Sequence, residues 1–273
     1  ELQDSPQFGP TVQKAIDFLT SESPDELTGS ANNGAYAHGI RTYALCEAYT
    51  MTKIPKLKEY AKRAAIFTIK GQNENGGWAY GFGKGPVAHT DLSVSGWCIQ
   101  GLKAAALTGI PIDGLDESMD KAIEYVKRCQ DQTGRFQYKT DSHGGQSGRG
   151  SLTGTGILSL QIWKNAKSEE ARKGLDWIVA NICDNKAQKE WKNVNVYGWY
   201  YHAQACFQAT GAGGNNYWRE WNKDFQQIVT KAQSEDGHWE HGYHFHGDTD
   251  IYRTAMTILM LEVYYRYMPS TKV

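Results

Sequence analysis

What this chain lacks narrows its function before any motif is considered. No run of residues approaches the ~18 consecutive apolar positions that mark a membrane-spanning helix, and the mean hydropathy is negative, so no transmembrane segment is expected. Charge of one sign is missing as well. There are 29 Lys and Arg against 30 Asp and Glu, for a net charge of −1, which leaves no global field to draw the chain onto nucleic acid or an anionic membrane. The five cysteines (Cys46, Cys98, Cys129, Cys183, Cys206) are scattered without a CxxC pair and read as reduced, buried, small hydrophobes rather than a disulfide framework. HExxH and GK[ST] are both absent, so neither a metal nor a cofactor is expected. No signal-type segment opens the chain. Its first residue is Glu1 rather than methionine, read as a trimmed start, which leaves the compartment, export and further domains open.

What is present is a repeat. A glutamine followed four residues later by glycine and six residues later by an aromatic occurs at Gln72-Gly76-Trp78, Gln130-Gly134-Phe136 and Gln233-Gly237-Trp239. The first two copies are 58 residues apart and the last two 103, close to two units. A degenerate copy is therefore expected between Cys183 and Trp199, where Trp191 and Tyr197-Gly198-Trp199 supply aromatics without the Gln-Gly frame. Units of about 50 residues that each hold two helices mean that the chain must be read as an array.

Hydrophobic spacing supports this. Met119, Ala122, Ile123 and Val126 form a three-four apolar stripe opposite Asp120, Lys121, Glu124 and Lys127, a helix with one wet side. Segments after the turns, such as Val94 to Leu102 and Ala255 to Val263, are apolar nearly all round and predict buried helices. Amphipathic helices are expected near 11–20, 56–71, 117–130, 168–182 and 221–233. Buried ones are expected near 36–50, 91–107, 151–163, 198–210 and 250–266, with no strand series. The last buried helix is among the most apolar, whereas an open solenoid ends in polar caps. The expectation is one domain over residues 1–273, an all-α (α/α) toroid of about five to six helical hairpins in two concentric layers, with units near 11–55, 56–116, 117–166, 167–220 and 221–268.

The Gln-x3-Gly-x-aromatic units, Gln72 to Tyr80 above all, resemble the QW repeats of the terpenoid cyclase and protein prenyltransferase superfamily. Among its members the chain is most similar to stand-alone bacterial squalene-cyclase-like repeat proteins. The resemblance spans roughly residues 30–268. It implies the toroid, gives the repeats a structural role in tying one unit to the next, and implies an isoprenoid or other apolar ligand in a central aromatic-lined cavity.

Polar residues gather where the buried helices begin, and these starts would converge on the mouth of a ring. The candidate catalytic groups are Asp91, Asp248 and Asp250. The candidate substrate-binding groups are His38, His89, Trp97, Trp199, Tyr200, His246, Tyr252 and Arg253. With Asp248 or Asp250 as proton donor, acid-catalysed cyclisation or isomerisation would follow, the rings of Trp97, Trp199, Tyr200 and Tyr252 facing cationic intermediates. N-capping is the alternative reading of Asp91, Ser151 and Asp250.

Both chemistries of the resembled superfamily are incomplete here. In Ala88-His89-Thr90-Asp91-Leu92-Ser93 only the last acid of the cyclase Asp-x-Asp-Asp motif survives, and Asp248-Thr249-Asp250 is the other Asp-x-Asp. The stretch matching the prenyltransferase zinc site, Asp250-Ile-Tyr252-Arg253-Thr254, places a guanidinium where an imidazole is required, and arginine does not ligate zinc. A dense cluster of His238, His241, His244, His246, Asp248 and Asp250 has three readings: a structural loop of partly exposed histidines, an acid–base or substrate site near neutral pH, or a transition-metal site. Gly144 to Gly150 reads as a flexible lid. Two other functions stand beside the isoprenoid one. One is a carbohydrate-active (α/α) barrel enzyme, a polysaccharide lyase or glycosidase that takes a glycan. The other is a non-catalytic interaction module of a larger protein.

Overall fold

The computed structural model describes residues 4–27, 34–83, 89–140, 150–183, 189–210, 216–243 and 248–265. Among these, secondary structure is helical apart from isolated bridges, and ten α-helices alternate in character. Amphipathic helices are α1 (Gly9–Leu19), α3 (Pro55–Lys70), α5 (Leu115–Arg128), α7 (Glu169–Ile178) and α9 (Tyr217–Ala232). Between them come α2 (Gly34–Thr52), α4 (Leu92–Leu107), α6 (Thr153–Ile162), α8 (Val196–Ala209) and α10 (Asp250–Leu261). Every residue of α6 is buried; its apolar residues are interleaved with glycine and with small or hydrogen-bonded polar side chains, Ser159 Oγ donating to the Thr155 carbonyl and Gln161 Nε2 to the Ala205 carbonyl. The helices fall where the hydrophobic pattern put them, but α10, expected to be buried nearly all round, buries only Arg253, Met256, Thr257 and Met260 and leaves Ile251 and Ile258 exposed. The Gly144–Gly150 lid reading lies outside the described residues except for Gly150.

The chain forms two compact units, Glu1–Val126 and Lys127–Val273. In the first, α2 packs against α3 and α4. In the second, α6 packs on α7 and α8, and α8 on α9 and α10. The α6–α8 approach depends on Gly154, where a Cβ would lie 2.6 Å from the backbone nitrogen of His202.

The Gln-Gly-aromatic turn is built the same way three times. The glutamine Nε2 donates to the carbonyl of the glycine four residues on, at 2.8 Å for Gln72, 2.9 Å for Gln130 and 3.0 Å for Gln233. The aromatic backbone N–H donates to a hydroxyl in the following helix: Trp78 to Ser95 Oγ, Phe136 to Thr153 Oγ1 and Trp239 to Thr254 Oγ1. Where the aromatic is tryptophan, its indole N–H reaches back to the preceding amphipathic helix, to the carbonyl of Thr68 or of Val229. Each turn thus ties the end of one helix to the start of the next.

Two of the turns also reach forward. Gln72 Nε2 donates to the Ser118 carbonyl of α5, and Gln130 Nε2 to the Glu170 carbonyl of α7, both at 2.8 Å. The turn glycines have φ near +90°, a region that costs other residues ~1–2 kcal/mol, and Gly134 also sits where a Cβ would lie 2.6 Å from the Lys173 carbonyl oxygen. At Gly237 a Cβ would come no nearer than 3.9 Å to anything. Gly237→Ala should therefore cost only the backbone term, whereas Gly134→Ala should cost about 1–3 kcal/mol more from overpacking. Equal losses of stability for the two variants in urea denaturation would refute this geometry.

Candidate acid–base site

The residues singled out from the sequence have differing surroundings. In the first unit Asp91 is the N-cap of α4: its Oδ1 accepts from the backbone of Ser93 (2.8 Å) and Val94 (3.0 Å) and from Ser93 Oγ (2.5 Å). His38 is buried, with Nε2 3.2 Å from the Ala64 carbonyl and ring edges on Phe67 and Phe82, and burial lowers its pKa. Trp97 is buried against Tyr43. His89 is exposed.

In the second unit Trp199 and Tyr200 are buried, the first against Trp221 and Phe225 and the second against Tyr201. Burial pushes the Tyr252 phenol up. A crevice beside Trp199, Trp221 and Phe225 holds about 20 Å³, room for about one water and far too little for a prenyl chain. His244 and His246 lie outside the described residues.

Asp248 and Asp250 are two residues apart, yet they face different partners. Asp248 is buried, and its two oxygens accept from Arg253 Nε (2.7 Å) and Nη2 (2.8 Å). The same guanidinium donates to the carbonyls of Trp191 (2.7 Å) and Val194 (3.0 Å), and the Trp191 ring covers it at 4.8 Å. Around this fully buried arginine the 191–194 segment, the 240–243 segment and the start of α10 are bolted together. Tyr243 N donates to the Lys192 carbonyl and Trp191 Nε1 to the Glu240 carbonyl. Gly242 lies so close that a Cβ would meet Arg253 Nη2 at 2.1 Å. The helix cap here is Thr249, whose hydroxyl accepts from Tyr252 N.

That leaves Asp250, in the first turn of α10, to point outward. Its Oδ1 accepts from the backbone N–H of His241 at 2.6 Å and lies 2.9 Å from His241 Nδ1. Beside it, His238 Nδ1 is 2.5 Å from Asp236 Oδ1. The hydrogen bond to Asp236, and then the charges of Asp236, Asp250 and Glu240, raise the His238 pKa. The bond to His241 lowers that of Asp250. Two imidazoles and three carboxylates thus share one exposed patch, flanked by Tyr243, which is 78% exposed. Among the described residues no group of three His, Cys, Asp or Glu is arranged to hold a metal ion.

His238 and His241 were legible as part of the histidine cluster. Asp236 and Tyr243 are not members of that cluster. The available signal was position: His238 occupies the place in the repeated turn held by Gly77 and Arg135 in the other copies.

No protein-family model matches this chain, and no curated protein matches it in sequence. Among solved structures it is similar to an inactive variant of the α-1,6-mannanase GH76A of Salegentibacter sp. HEL1_6, in which two consecutive aspartates are replaced by asparagine, in complex with α-1,6-mannotriose. The identity is 13%, the TM-score 0.62, and the match covers 93% of this chain and 80% of that one. The likeness establishes the fold class as the all-α, (α/α)-toroid type expected from the repeat.

It also corrects the family. The structural neighbour is a glycosidase rather than a terpenoid cyclase, squalene cyclase or prenyltransferase, and the isoprenoid ligand has no support. The physical reason lies in the repeat. Its glutamine, glycine and aromatic bind backbone and join hairpins, so the motif reports how helices are stacked and says nothing of the chemistry they carry. No helix among the described residues is long and apolar enough to cross a membrane.

Removing one partner of a buried ion pair strands the other at a cost of about 3–5 kcal/mol. Arg253→Met should therefore lower stability by that order and release the 240–243 segment, seen as faster amide exchange there. Wild-type exchange in Arg253→Met would show that the guanidinium does not hold this segment.

Proposed function

We propose that the chain is a carbohydrate-active protein that cleaves a glycosidic bond at the His238–His241 patch. The observation that carries the reading is the Asp250 carboxylate, which accepts from both the amide and the ring of His241. A carboxylate on Nδ1 fixes the imidazole tautomer and leaves Nε2 to take a proton. His238 is its complement, an imidazole held charged to higher pH by Asp236, Asp250 and Glu240. In the proposed step His238 gives its proton to the leaving glycosidic oxygen as the C–O bond breaks. His241 takes a proton from the water that adds to the sugar carbon. Tyr243, with Lys192 5.7 Å from its ring centroid, supplies an exposed aromatic face on which a sugar ring can rest.

The shared fold with a mannanase solved with α-1,6-mannotriose supports a glycan as substrate. This chain has no two consecutive aspartates, and its acid–base work therefore falls to His–Asp pairs. Asp248 is assigned to holding Arg253, and Asp91 to capping α4.

The test is reducing-sugar release from neutral and acidic oligosaccharides, beginning with α-1,6-mannotriose. His241→Ala and Asp250→Asn should each lower turnover about 100-fold or more while leaving the fold intact. Because Asp236 raises the His238 pKa, the proton donor survives to higher pH, and Asp236→Asn should move the alkaline limb of the rate profile downward. Binding without turnover, or turnover indifferent to His241, would sink the catalytic assignment.

A further inference from the structure

The solvent face of α9, within the second unit, carries an open trough of about 630 Å³, a volume in the range of small-ligand sites. Two rows of side chains line it. Trp218, Asn222 and Gln226 follow one another at four-residue intervals, and Arg219, Lys223 and Gln227 form the row beside them, the spacing that puts side chains on one helix face.

This trough takes no part in the acid–base patch. Its Asn222 accepts a hydrogen bond from the hydroxyl of Tyr264, which follows the C-terminus of α10, whereas Asp250 opens that helix. The 12 residues of α10 separate the two ends by about 18 Å.

The aromatic wall is set before a ligand arrives. Trp218 is half-buried, its ring edge-on to Phe207 at 5.2 Å and to Tyr264 at 5.6 Å, so little freedom remains to be lost on binding. Tyr264 is itself 41% exposed beside it. Around these rings the polar groups are mostly amides. Asn222, Gln226 and Gln227 each offer two N–H donors and a carbonyl acceptor, and both glutamines are exposed. The bond from Tyr264 engages Asn222 Oδ1 and steadies that amide with its N–H groups left to donate.

These groups define a ligand class. A pyranose ring has an apolar C–H face and a rim of hydroxyls that both donate and accept, which suits a fixed indole flanked by amides. Of the two cations here, Arg219 already lies 3.5 Å from Glu220, which leaves too little positive charge to hold a nucleic-acid backbone. The lining of amides and lysine also differs from the apolar centre of a protein interface.

We infer that the α9 trough is a second glycan-binding site, separate from the acid–base patch, that holds an oligosaccharide by stacking on Trp218 and by hydrogen bonds from Asn222 and Gln226. The choice of a sugar rests on the glycan reading of the protein; the position and lining of the trough do not.

Side-chain N–H resonances of the intact chain report on the trough directly. A set of neutral and acidic oligosaccharides, α-1,6-mannotriose included, is screened, and the tightest binder is titrated into wild type. The Trp218 indole and the Asn222 and Gln226 amide signals should shift together with one Kd. Trp218→Ala should weaken that Kd about 10-fold or more. Gln226→Ala, at an exposed side chain, should weaken it about 3-fold with an unchanged circular-dichroism spectrum, and it decides the matter if Trp218→Ala does not fold. Shifts confined to the His238–His241 patch, with a Kd indifferent to Gln226→Ala, would overturn the trough site and leave the glycan reading standing. No shift with any oligosaccharide would overturn both.

Discussion

One hydrogen-bonding group, the side-chain amide of the repeat glutamine, sets much of the order in this structure. A primary amide has two N–H donors, and in Gln72 and Gln130 the amide nitrogen reaches two carbonyls: one closes the turn and one grips the first turn of the next amphipathic helix. Each such bond contributes only about 1 kcal/mol net. Its consequence is geometric. It brings the turn glycine onto the neighbouring backbone, where no side chain fits, and holds the aromatic N–H against the hydroxyl that begins the next buried helix. The starts of those helices, and the polar residues on them, are placed by this contact.

The proposed site is a variation on that turn. Asp236 and His238 flank its glycine, while His241 and Asp250 join its exit to the first turn of α10. Behind them the buried Arg253 gathers Asp248, Trp191 and Val194 into one knot. The rigid part of the repeat thus carries an exposed acid–base patch, a common division of labour between scaffold and loop. The similarity in fold to a mannanase concerns the scaffold. The patch consists of residues that neither the fold nor the repeat dictates, and for this reason its chemistry has to be argued from its own distances.

The helices were legible because burial leaves a period in the sequence. Met119, Ala122, Ile123 and Val126 are buried along one side of α5, and α4 is buried nearly all round, as their patterns require. The pairing of acids was not legible. Asp248 and Asp250 look equivalent as an Asp-x-Asp, but Thr249 takes the helix cap between them. One side chain then turns inward to an arginine and the other outward to a histidine. The partners that complete the arginine knot come from Trp191 and Val194, about sixty residues away in sequence, and no local spacing reports them. The family attribution failed for a related reason: a motif whose side chains hydrogen-bond only to backbone can serve any hairpin array.

The most direct test of a carbohydrate site at the third turn is hydrogen–deuterium exchange of the intact chain with and without saturating oligosaccharide, using α-1,6-mannotriose and the tightest binder of a neutral and an acidic set. Protection centred on residues 236–243 and the first turn of α10 is the predicted result. Protection confined to other segments, or none with any oligosaccharide, would contradict it.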